Sequence, residues 1–159
     1  MADFNKAVSE TIEREGGLTS DPSDSGGTTR YGISQRAYPD ENILGLTVDR
    51  AKFLYKRDYW DKIMGDNLVD QGIAELLFDS CVNIGVKTAI ILAQRVLGVD
   101  DDGIIGQKTI YALNTQNAIV FNNAFTLRKI EYYINIIKKK PGQLKYAVGW
   151  IDRTLKMVL

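Results

Sequence analysis

The chain has 159 residues, of which 45% are hydrophobic and 25% are charged, as in ordinary soluble globular proteins. This length allows one domain with a substantial core, or one domain with a small appendage. No apolar run reaches the roughly 18 residues that a membrane-spanning helix needs, so we expect no stable membrane insertion. The sequence contains no histidine, which excludes Ser-His-Asp and Cys-His catalysis and histidine-ligated metals. Acid–base chemistry therefore falls to Asp, Glu, Lys or Tyr.

Charge is unevenly distributed, although the formal net charge is zero. Residues 1–80 hold 9 basic and 15 acidic side chains, whereas residues 81–159 hold 11 basic and 5 acidic ones. The basic side chains of the second half are mostly spaced singly, and we expect no nucleic-acid partner. Lys138-Lys139-Lys140 precedes Pro141 and is typical of a helix C-terminus, where cations complement the helix dipole. A binding patch is the alternative interpretation.

Cys81 is the single cysteine, so no intrachain disulfide can form. It lies in an apolar stretch, and we interpret it as a buried, unreactive thiol rather than a nucleophile. The N-terminal residues Met1–Lys6 are polar and show no signal-peptide core. Because no signal peptide is visible, we expect a protein that is cytoplasmic as synthesised and acts on its target after release. We also expect a monomer.

The first half of the chain begins with an amphipathic pattern that predicts a helix over residues 3–15, ended by a double glycine. Residues 16–46 are rich in Gly, Ser and Asp and predict a loop. Within this loop we expect a small hairpin near 28–33 and a short helix near 34–38 that Pro39 ends.

Thr47 has the pattern of an N-cap and predicts a helix that runs to about Met64. The periodicity predicts further helices at residues 73–84, 87–97, 109–114, 117–138 and 143–158. A turn-rich link at 100–106 separates two of them. The predicted class is mainly α, with at most a small β-hairpin.

Glu15 closes the first predicted helix directly before the double glycine. A carboxyl group at a rigid helix end, above a glycine-lined surface that a bulky substrate can approach, suits an acid catalyst. Glu13 is the neighbouring candidate, but it lies about 200° around the helix axis from Glu15, so only one of the two faces the turn. We favour Glu15; an ordinary solvated glutamate is the alternative.

Asp24 follows Glu15 by nine residues across the glycine-rich turn, and Thr29 comes a few residues later. Glycoside hydrolysis needs a protonated carboxyl group for the leaving oxygen, and a nucleophile or an activated water on the other face of the sugar. An acid, a second carboxylate and a hydroxyl near one turn fit this requirement. Hydrogen bonding of Asp24 to turn amides is the alternative.

A family resemblance covers nearly the whole chain. Glycoside hydrolase family 108 has an N-terminal signature that is similar to Glu15-Gly16-Gly17-Leu18 followed by Asp21-Pro22-x-Asp24-x-Gly26-Gly27-x-Thr29-x-Tyr31-Gly32-Ile33. The resemblance continues in Tyr59-Trp60, Gly65-Asp66-x-Leu68 and Phe78-Asp79-x-x-Val82-Asn83-x-Gly85. The second half resembles the predicted peptidoglycan domain of these proteins at Leu97-Gly98-Val99, Asp102-Gly103-Ile104-Ile105-Gly106 and Gly149-Trp150-x-x-Arg153.

The resemblance implies a lysozyme-like helical domain that acts as an N-acetylmuramidase, as in phages and some bacterial secretion systems. Such an enzyme cleaves the β-1,4 bond between N-acetylmuramic acid and N-acetylglucosamine in bacterial peptidoglycan. The implied division is a catalytic region at 1–86 and a peptidoglycan-binding helical region at 87–159, packed as one globular unit. We expect an endolysin whose basic half helps to hold the anionic wall, which predicts a salt-sensitive affinity. A lytic transglycosylase and a non-catalytic wall-binding or secretion-accessory protein are the alternatives.

The implied catalytic residues are Glu15 as general acid, with Asp24 and Thr29 positioning a water or stabilising the oxocarbenium-like charge. Two positions depart from known patterns: Leu18 replaces the family's usual Tyr, and Arg30 stands where the Glu-x8-Asp-x5-Thr pattern of phage-type lysozymes has Thr. Thr29 would therefore supply the hydroxyl group.

The predicted substrate-binding residues are Tyr31, Tyr59 and Asn83. Tyr59 and Trp60 stack on sugar rings or fill the core, and we favour the core for at least one of them. Asn83 lines the cleft through its amide or belongs to a structural polar network. We expect no metal and no cofactor, because the weak calcium-loop pattern that starts at Asp21 has a glycine rather than a glutamate at its twelfth position.

Overall fold

The computed structural model describes residues 1–15 and 28–158, with the side chains of residues 14 and 15 outside that description. The α-helices of this part are Phe4–Glu15 (α1), Val48–Tyr55 (α2), Gln71–Ile84 (α3), Val86–Leu97 (α4), Gln107–Thr115 (α5), Ala118–Lys139 (α6) and Ala147–Leu155 (α7). Two short strands, Thr29–Arg30 (β1) and Ile33–Ser34 (β2), pair in antiparallel register. The predicted mainly α class with a small hairpin is confirmed.

The hairpin turns through Tyr31 and Gly32, whose φ angles are 51° and 75°. Positive φ at both central residues is the pattern of a type I′ turn, which matches the twist of two antiparallel strands. Glycine adopts this conformation at little cost, whereas Tyr31 needs support. Tyr55 gives that support, because its hydroxyl group donates to the carbonyl oxygen of Tyr31 at 3.0 Å.

The predicted helix at residues 34–38 is wrong, since this segment forms turns. The amide nitrogen Nε2 of Gln35 donates to the carbonyl oxygens of Tyr38, Pro39 and Glu41 at 3.0–3.2 Å. These bonds stabilise a compact turn, and a five-residue segment before a proline is too short to propagate a helix on its own.

The predicted helix over 47–64 begins as expected, because Thr47 Oγ1 accepts a hydrogen bond from the amide of Arg50 at 3.2 Å. The α-helix ends at Tyr55 and continues as a π-helical turn at Lys56–Trp60 and a 3₁₀ turn at Asp61–Ile63. Trp60, at the end of the wider turn, is fully buried. A uniform α-helix over residues 47–64, as predicted, therefore does not form.

Gly65 packs against the indole ring of Trp60. A Cβ atom at Gly65 would lie 2.2 Å from Cε2 of that ring, and the fully buried ring has no room to move. Gly65→Ala should therefore lower the free energy of unfolding by about 1–3 kcal/mol through overpacking. Urea denaturation measures this change. Gly149→Ala is the matched control, because open space surrounds its Cβ in α7 and alanine favours helix; equal effects of both variants would contradict the packing argument.

The core is one hydrophobic cluster that contains side chains from both halves of the chain. Helix α3 lies at the centre of this cluster. Eight of its residues between Ile73 and Cys81 are buried, and the helix packs against α1, α4 and α6. Cys81 belongs to this cluster, and burial raises the pKa of its thiol to about 12. The predicted burial of Cys81 is confirmed, and the raised pKa of its thiol agrees with an unreactive side chain.

The C-terminal segment differs in part from the helix predicted at 143–158. Pro141–Tyr146 forms a 3₁₀ helix, and α7 starts only at Ala147. Pro141 lacks an amide hydrogen and Gly142 is a weak helix former, so a tighter turn replaces the first α-helical turn. Helix α6 ends at Lys139, which confirms that the lysine triplet lies at a helix C-terminus.

Candidate active site

Helix α1 carries the predicted acid at its C-terminal end. The helix extends to Glu15, as the sequence predicts, and its buried face includes Thr11, which is 2% exposed. This face packs against α3, so the backbone at the end of α1 is fixed to the centre of the fold. The carboxyl group of Glu15 and all of Asp24 lie outside the described residues, and their roles stay predictions.

The hairpin carries Thr29 and Tyr31, and Arg30 tethers it. Thr29 is half-buried and lies opposite Ser34 in the strand pair. The guanidinium nitrogen Nη1 of Arg30 donates to the carbonyl oxygen of Leu44 at 2.6 Å, and its Cζ lies 5.3 Å from the centroid of the Tyr31 ring. Arg30 therefore connects the hairpin to the following loop. At the position where phage-type lysozymes have Thr, this chain thus has a residue with a structural role.

Two predicted substrate-binding tyrosines lie on either side of Tyr55. The hydroxyl group of Tyr55 contacts the Tyr31 carbonyl, and its ring centroid lies 5.8 Å from that of Tyr59. Tyr55 is itself 1% exposed. The structure thus brings Tyr31 and Tyr59 into one region through a buried side chain between them.

Tyr59 also forms part of the wall of an open cavity of about 500 Å³. The residues that line this cavity are Ala37, Tyr38, Pro39, Asp40, Glu41, Arg57, Asp58 and Tyr59. Two tyrosines and four charged residues thus line this cavity. Asp58 accepts hydrogen bonds from the Tyr38 hydroxyl at 2.9 Å and from Arg57 Nε and Nη2 at 2.6 Å each.

The protonation states of this cavity follow from those contacts. The hydrogen bond from Arg57 holds the pKa of Asp58 below its usual value, and the bond from Tyr38 acts in the same direction. Burial, with the neighbouring Tyr59 and Asp58, raises the pKa of Tyr38 above that of a free phenol. Asp58 is therefore ionised at neutral pH and can accept hydrogen bonds from a ligand, but it cannot act as a proton donor.

The structure decides between the alternatives for Trp60 and describes the surroundings of the Asn83 amide. Trp60 is fully buried and its Nε1 donates to Asp66 Oδ1 at 2.7 Å, which confirms a core role for one residue of the Tyr59-Trp60 pair. The amide nitrogen Nδ2 of Asn83 is buried and has no hydrogen-bond partner within the described part of the chain. A buried donor without a partner is costly in a folded protein, and the contact of Asn83 with substrate stays a prediction.

Sequence reasoning missed a buried ion cluster that centres on Asp79 in α3. Asp79 is 2% exposed, and its Oδ1 accepts from Arg153 Nη2 at 2.9 Å and Nε at 3.2 Å. Its Oδ2 lies 3.4 Å from Nζ of Lys129, a fully buried side chain of α6. Burial lowers the pKa of Lys129, while Asp79 acts in the opposite direction. Two cations thus hold this carboxylate in place.

One signal in the sequence could have revealed the cluster. Lys129 follows Phe121 and Phe125 at a spacing of four residues and precedes Tyr133 by four, so it lies on the apolar stripe of α6. A lysine on a buried stripe needs a buried carboxylate as its partner. Asp79, in the apolar helix α3, meets that need.

No helix of the described residues is both long and apolar enough to cross a membrane. Comparison of the chain with curated protein sequences gives no match. The solved "Structure of Brucella abortus SagA" is similar to this chain with a TM-score of 0.73 and 27% sequence identity, over 98% of this chain and 95% of that one.

Two family models match successive parts of the chain. Residues 8–85 match Glycosyl hydrolase 108, and residues 88–155 match the Predicted Peptidoglycan domain. The two matches stand in the same order as the sequence motifs, and the similarity to the solved structure extends across both. The chain therefore belongs to glycosyl hydrolase family 108 and carries the predicted peptidoglycan domain after its hydrolase region.

Proposed function

We propose that this peptidoglycan hydrolase is an N-acetylmuramidase, which cleaves the β-1,4 bond between N-acetylmuramic acid and N-acetylglucosamine. The observation that carries the proposal is the presence in one chain of a glycosyl hydrolase 108 region that includes Glu15 and a predicted peptidoglycan domain. The hydrolase region supports glycoside hydrolysis as the reaction, and the predicted peptidoglycan domain supports the wall polymer as the substrate.

Glu15 is proposed as the general acid that protonates the leaving glycosidic oxygen. The chain has no histidine, so a carboxylic acid is the group best suited to this proton transfer near neutral pH. Two other carboxylates are poorly suited to it, since Asp58 is bound by Arg57 and Asp79 is bound by two cations. Asp24 and Thr29 are proposed to position the water or to stabilise the positive charge that develops on the sugar.

Identification of the products tests the proposed bond. Purified sacculi are digested with the full chain, the soluble products are reduced with borohydride, and their masses are determined. The proposal predicts reduced N-acetylmuramic acid at the new chain ends. Ends with 1,6-anhydro-N-acetylmuramic acid would identify a lytic transglycosylase, reduced N-acetylglucosamine would identify cleavage of the other bond, and binding without soluble products would identify a non-catalytic wall-binding protein.

Asn83→Ala tests the proposed contact with substrate. The buried Nδ2 loses no hydrogen bond to any described residue, so the free energy of unfolding should change by less than about 1 kcal/mol. The KM for peptidoglycan should rise about tenfold, the effect of one lost hydrogen bond. Asn123→Ala, at an exposed position of α6, is the control. An unchanged KM together with a large loss of stability would place Asn83 in a structural network instead.

A further inference from the structure

We propose that the predicted peptidoglycan domain binds the wall through one surface, formed by Tyr146 and Trp150 with Lys145 and the lysines at the end of α6. We call this the Tyr146 surface. Its ligand is a glycan strand of peptidoglycan, with sugar rings on the aromatic side chains and stem-peptide carboxylates on the lysines. The choice of ligand rests on the proposed function. The residues that would bind the polymer lie outside the predicted catalytic set.

Three aromatic rings form a stack that leads from the core to solvent. The ring of Trp150 lies 5.0 Å from that of Tyr133 at an interplanar angle of 25°, and 5.9 Å from that of Tyr146 at 27°. Tyr133 is 3% exposed, whereas Tyr146 is 47% exposed. The stack fixes the orientation of the outer ring before any ligand arrives, which lowers the entropy cost of binding. The C–H groups of a sugar face carry partial positive charge and suit the negative face of such a ring.

Exposed apolar residues flank the outer ring of the stack in the sequence. Leu144 is 64% exposed and Val148 is 81% exposed, on the two sides of Tyr146 in sequence. A Cβ at Gly149 would meet no atom within 4 Å, so the space around this residue, next to Trp150 in the sequence, is open. The segment that carries the outer ring is therefore exposed on the protein surface.

The charge around the stack identifies the kind of ligand. Residues 132–158 contain six basic side chains and one acidic side chain, Asp152. Nζ of Lys145 lies 4.9 Å from the centroid of the Tyr146 ring, and α6 ends in the exposed lysines of the triplet 138–140. Among the described residues, no carboxylate lies within ion-pair distance of these four lysines. A glycan that carries carboxylates complements both the rings and the cations, whereas a neutral glycan complements only the rings.

The lysine triplet therefore has two roles that the sequence presented as alternatives. It ends α6, where cations complement the helix dipole, and it places exposed positive charge directly before the 3₁₀ helix that carries Tyr146. Because these cations are exposed, their attraction for the wall is screened by salt over about 10 Å at 0.1 M ionic strength. Binding through this surface should weaken as salt rises.

Binding is measured by sedimentation of the full-length Glu15→Gln protein with purified sacculi, so that the wall is not digested during the experiment. In this background, Tyr146→Ala should lower the affinity about tenfold, because it removes the outer ring of the stack. Tyr146→Phe keeps the ring and should bind like its parent. Tyr111→Ala is the matched control, because Tyr111 is 72% exposed on α5, away from the stack in sequence. Equal affinity of the Tyr146→Ala and Tyr111→Ala proteins would overturn the proposal.

Lys145→Gln tests the charge component. This variant should bind sacculi a few-fold more weakly at 50 mM NaCl and should show a shallower salt dependence than its parent. Lys108→Gln, an exposed lysine of α5, should leave both properties unchanged. Identical salt dependence of the two lysine variants would show that Lys145 does not contribute to binding, and would overturn that part of the proposal.

Further measurements separate other ligands and separate this inference from the proposed function. In the active protein, Tyr146→Ala should raise the KM for sacculi. The Tyr146→Ala and Tyr111→Ala proteins should cleave a short soluble glycan fragment at the same rate. If the wild-type chain cleaves neither substrate, the proposed function fails, while the sedimentation comparison still decides the surface. Loss of a dimer in Tyr146→Ala, or loss of binding to phosphatidylglycerol vesicles with sacculus binding intact, would assign the surface to another partner and overturn the proposal.

Discussion

Glu15→Gln is expected to lower the rate of peptidoglycan hydrolysis by about 10²–10⁴-fold, the range associated with loss of a general acid. Glutamine keeps the size and hydrogen-bonding capacity of the side chain, but it cannot give a proton to the leaving oxygen. The rate is measured as new reducing ends released from purified sacculi. Stability should change little, because the substitution is isosteric and lies at the end of α1.

Glu13→Gln is the matched control for this prediction. Glu13 is exposed on the same helix, about 200° around its axis from Glu15, and its substitution should leave the rate near that of the wild type. A rate loss in Glu13→Gln with normal activity in Glu15→Gln would identify Glu13, and not Glu15, as the general acid. Normal activity in both variants would remove general-acid catalysis from the end of α1.

Asp79→Ala is expected to lower the free energy of unfolding by about 3–5 kcal/mol, because it leaves a buried cation without its counter-ion. Lys129 is fully buried and lies 3.4 Å from the carboxylate that the variant removes. For a chain of this size, the midpoint of thermal unfolding should fall by roughly 6–20 °C. Calorimetry or circular dichroism measures this shift.

A second substitution and a surface control make this prediction specific. Lys129→Met in the Asp79→Ala background removes the unpaired cation and should restore at least half of the lost stability, since apolar replacements of buried ion pairs are well tolerated. Asp152→Ala breaks a pair with Lys156 whose members are 58% and 71% exposed, and should change stability by less than about 1 kcal/mol. Additive losses in the double variant would mean that Asp79 and Lys129 do not interact.

The ion cluster also explains how the two family regions are joined. Asp79 lies in the region that matches Glycosyl hydrolase 108, whereas Lys129 and Arg153 lie in the region that matches the Predicted Peptidoglycan domain. Buried charges tolerate little displacement, because their attraction depends steeply on distance in a medium of low dielectric constant. The cluster therefore fixes α3 against α6 and α7.

Local signals were sufficient for most of the helices. Thr47 and Asn117 each accept a hydrogen bond from the backbone amide three residues later, and both positions were expected helix starts. The hairpin expected near residues 28–33 forms with Gly32 at a positive φ in its turn, which glycine adopts at little cost. Period, caps and turn residues act within a few positions of one another, so they can be read from a single sequence.

The features that the sequence did not reveal depend on distant contacts. The π-helical turn that ends at the buried Trp60 interrupts the predicted helix, and no periodic pattern in the sequence predicts it. Asp79 is 50 residues from Lys129 and 74 residues from Arg153, so its role became visible only when the helices were assembled. The contact of Tyr55 with the hairpin spans 24 residues and likewise brings Tyr31 and Tyr59 together without a local signal.

The most direct measurement of the central claim is a paired time course on one preparation of sacculi. Wild-type protein and Glu15→Gln protein are compared for the amount bound and for the N-acetylmuramic acid reducing ends released. We predict equal binding of both proteins and release of reducing ends by the wild type alone. Equal release by both proteins, or none by the wild type at full binding, would contradict the assignment of Glu15 as the acid of a muramidase.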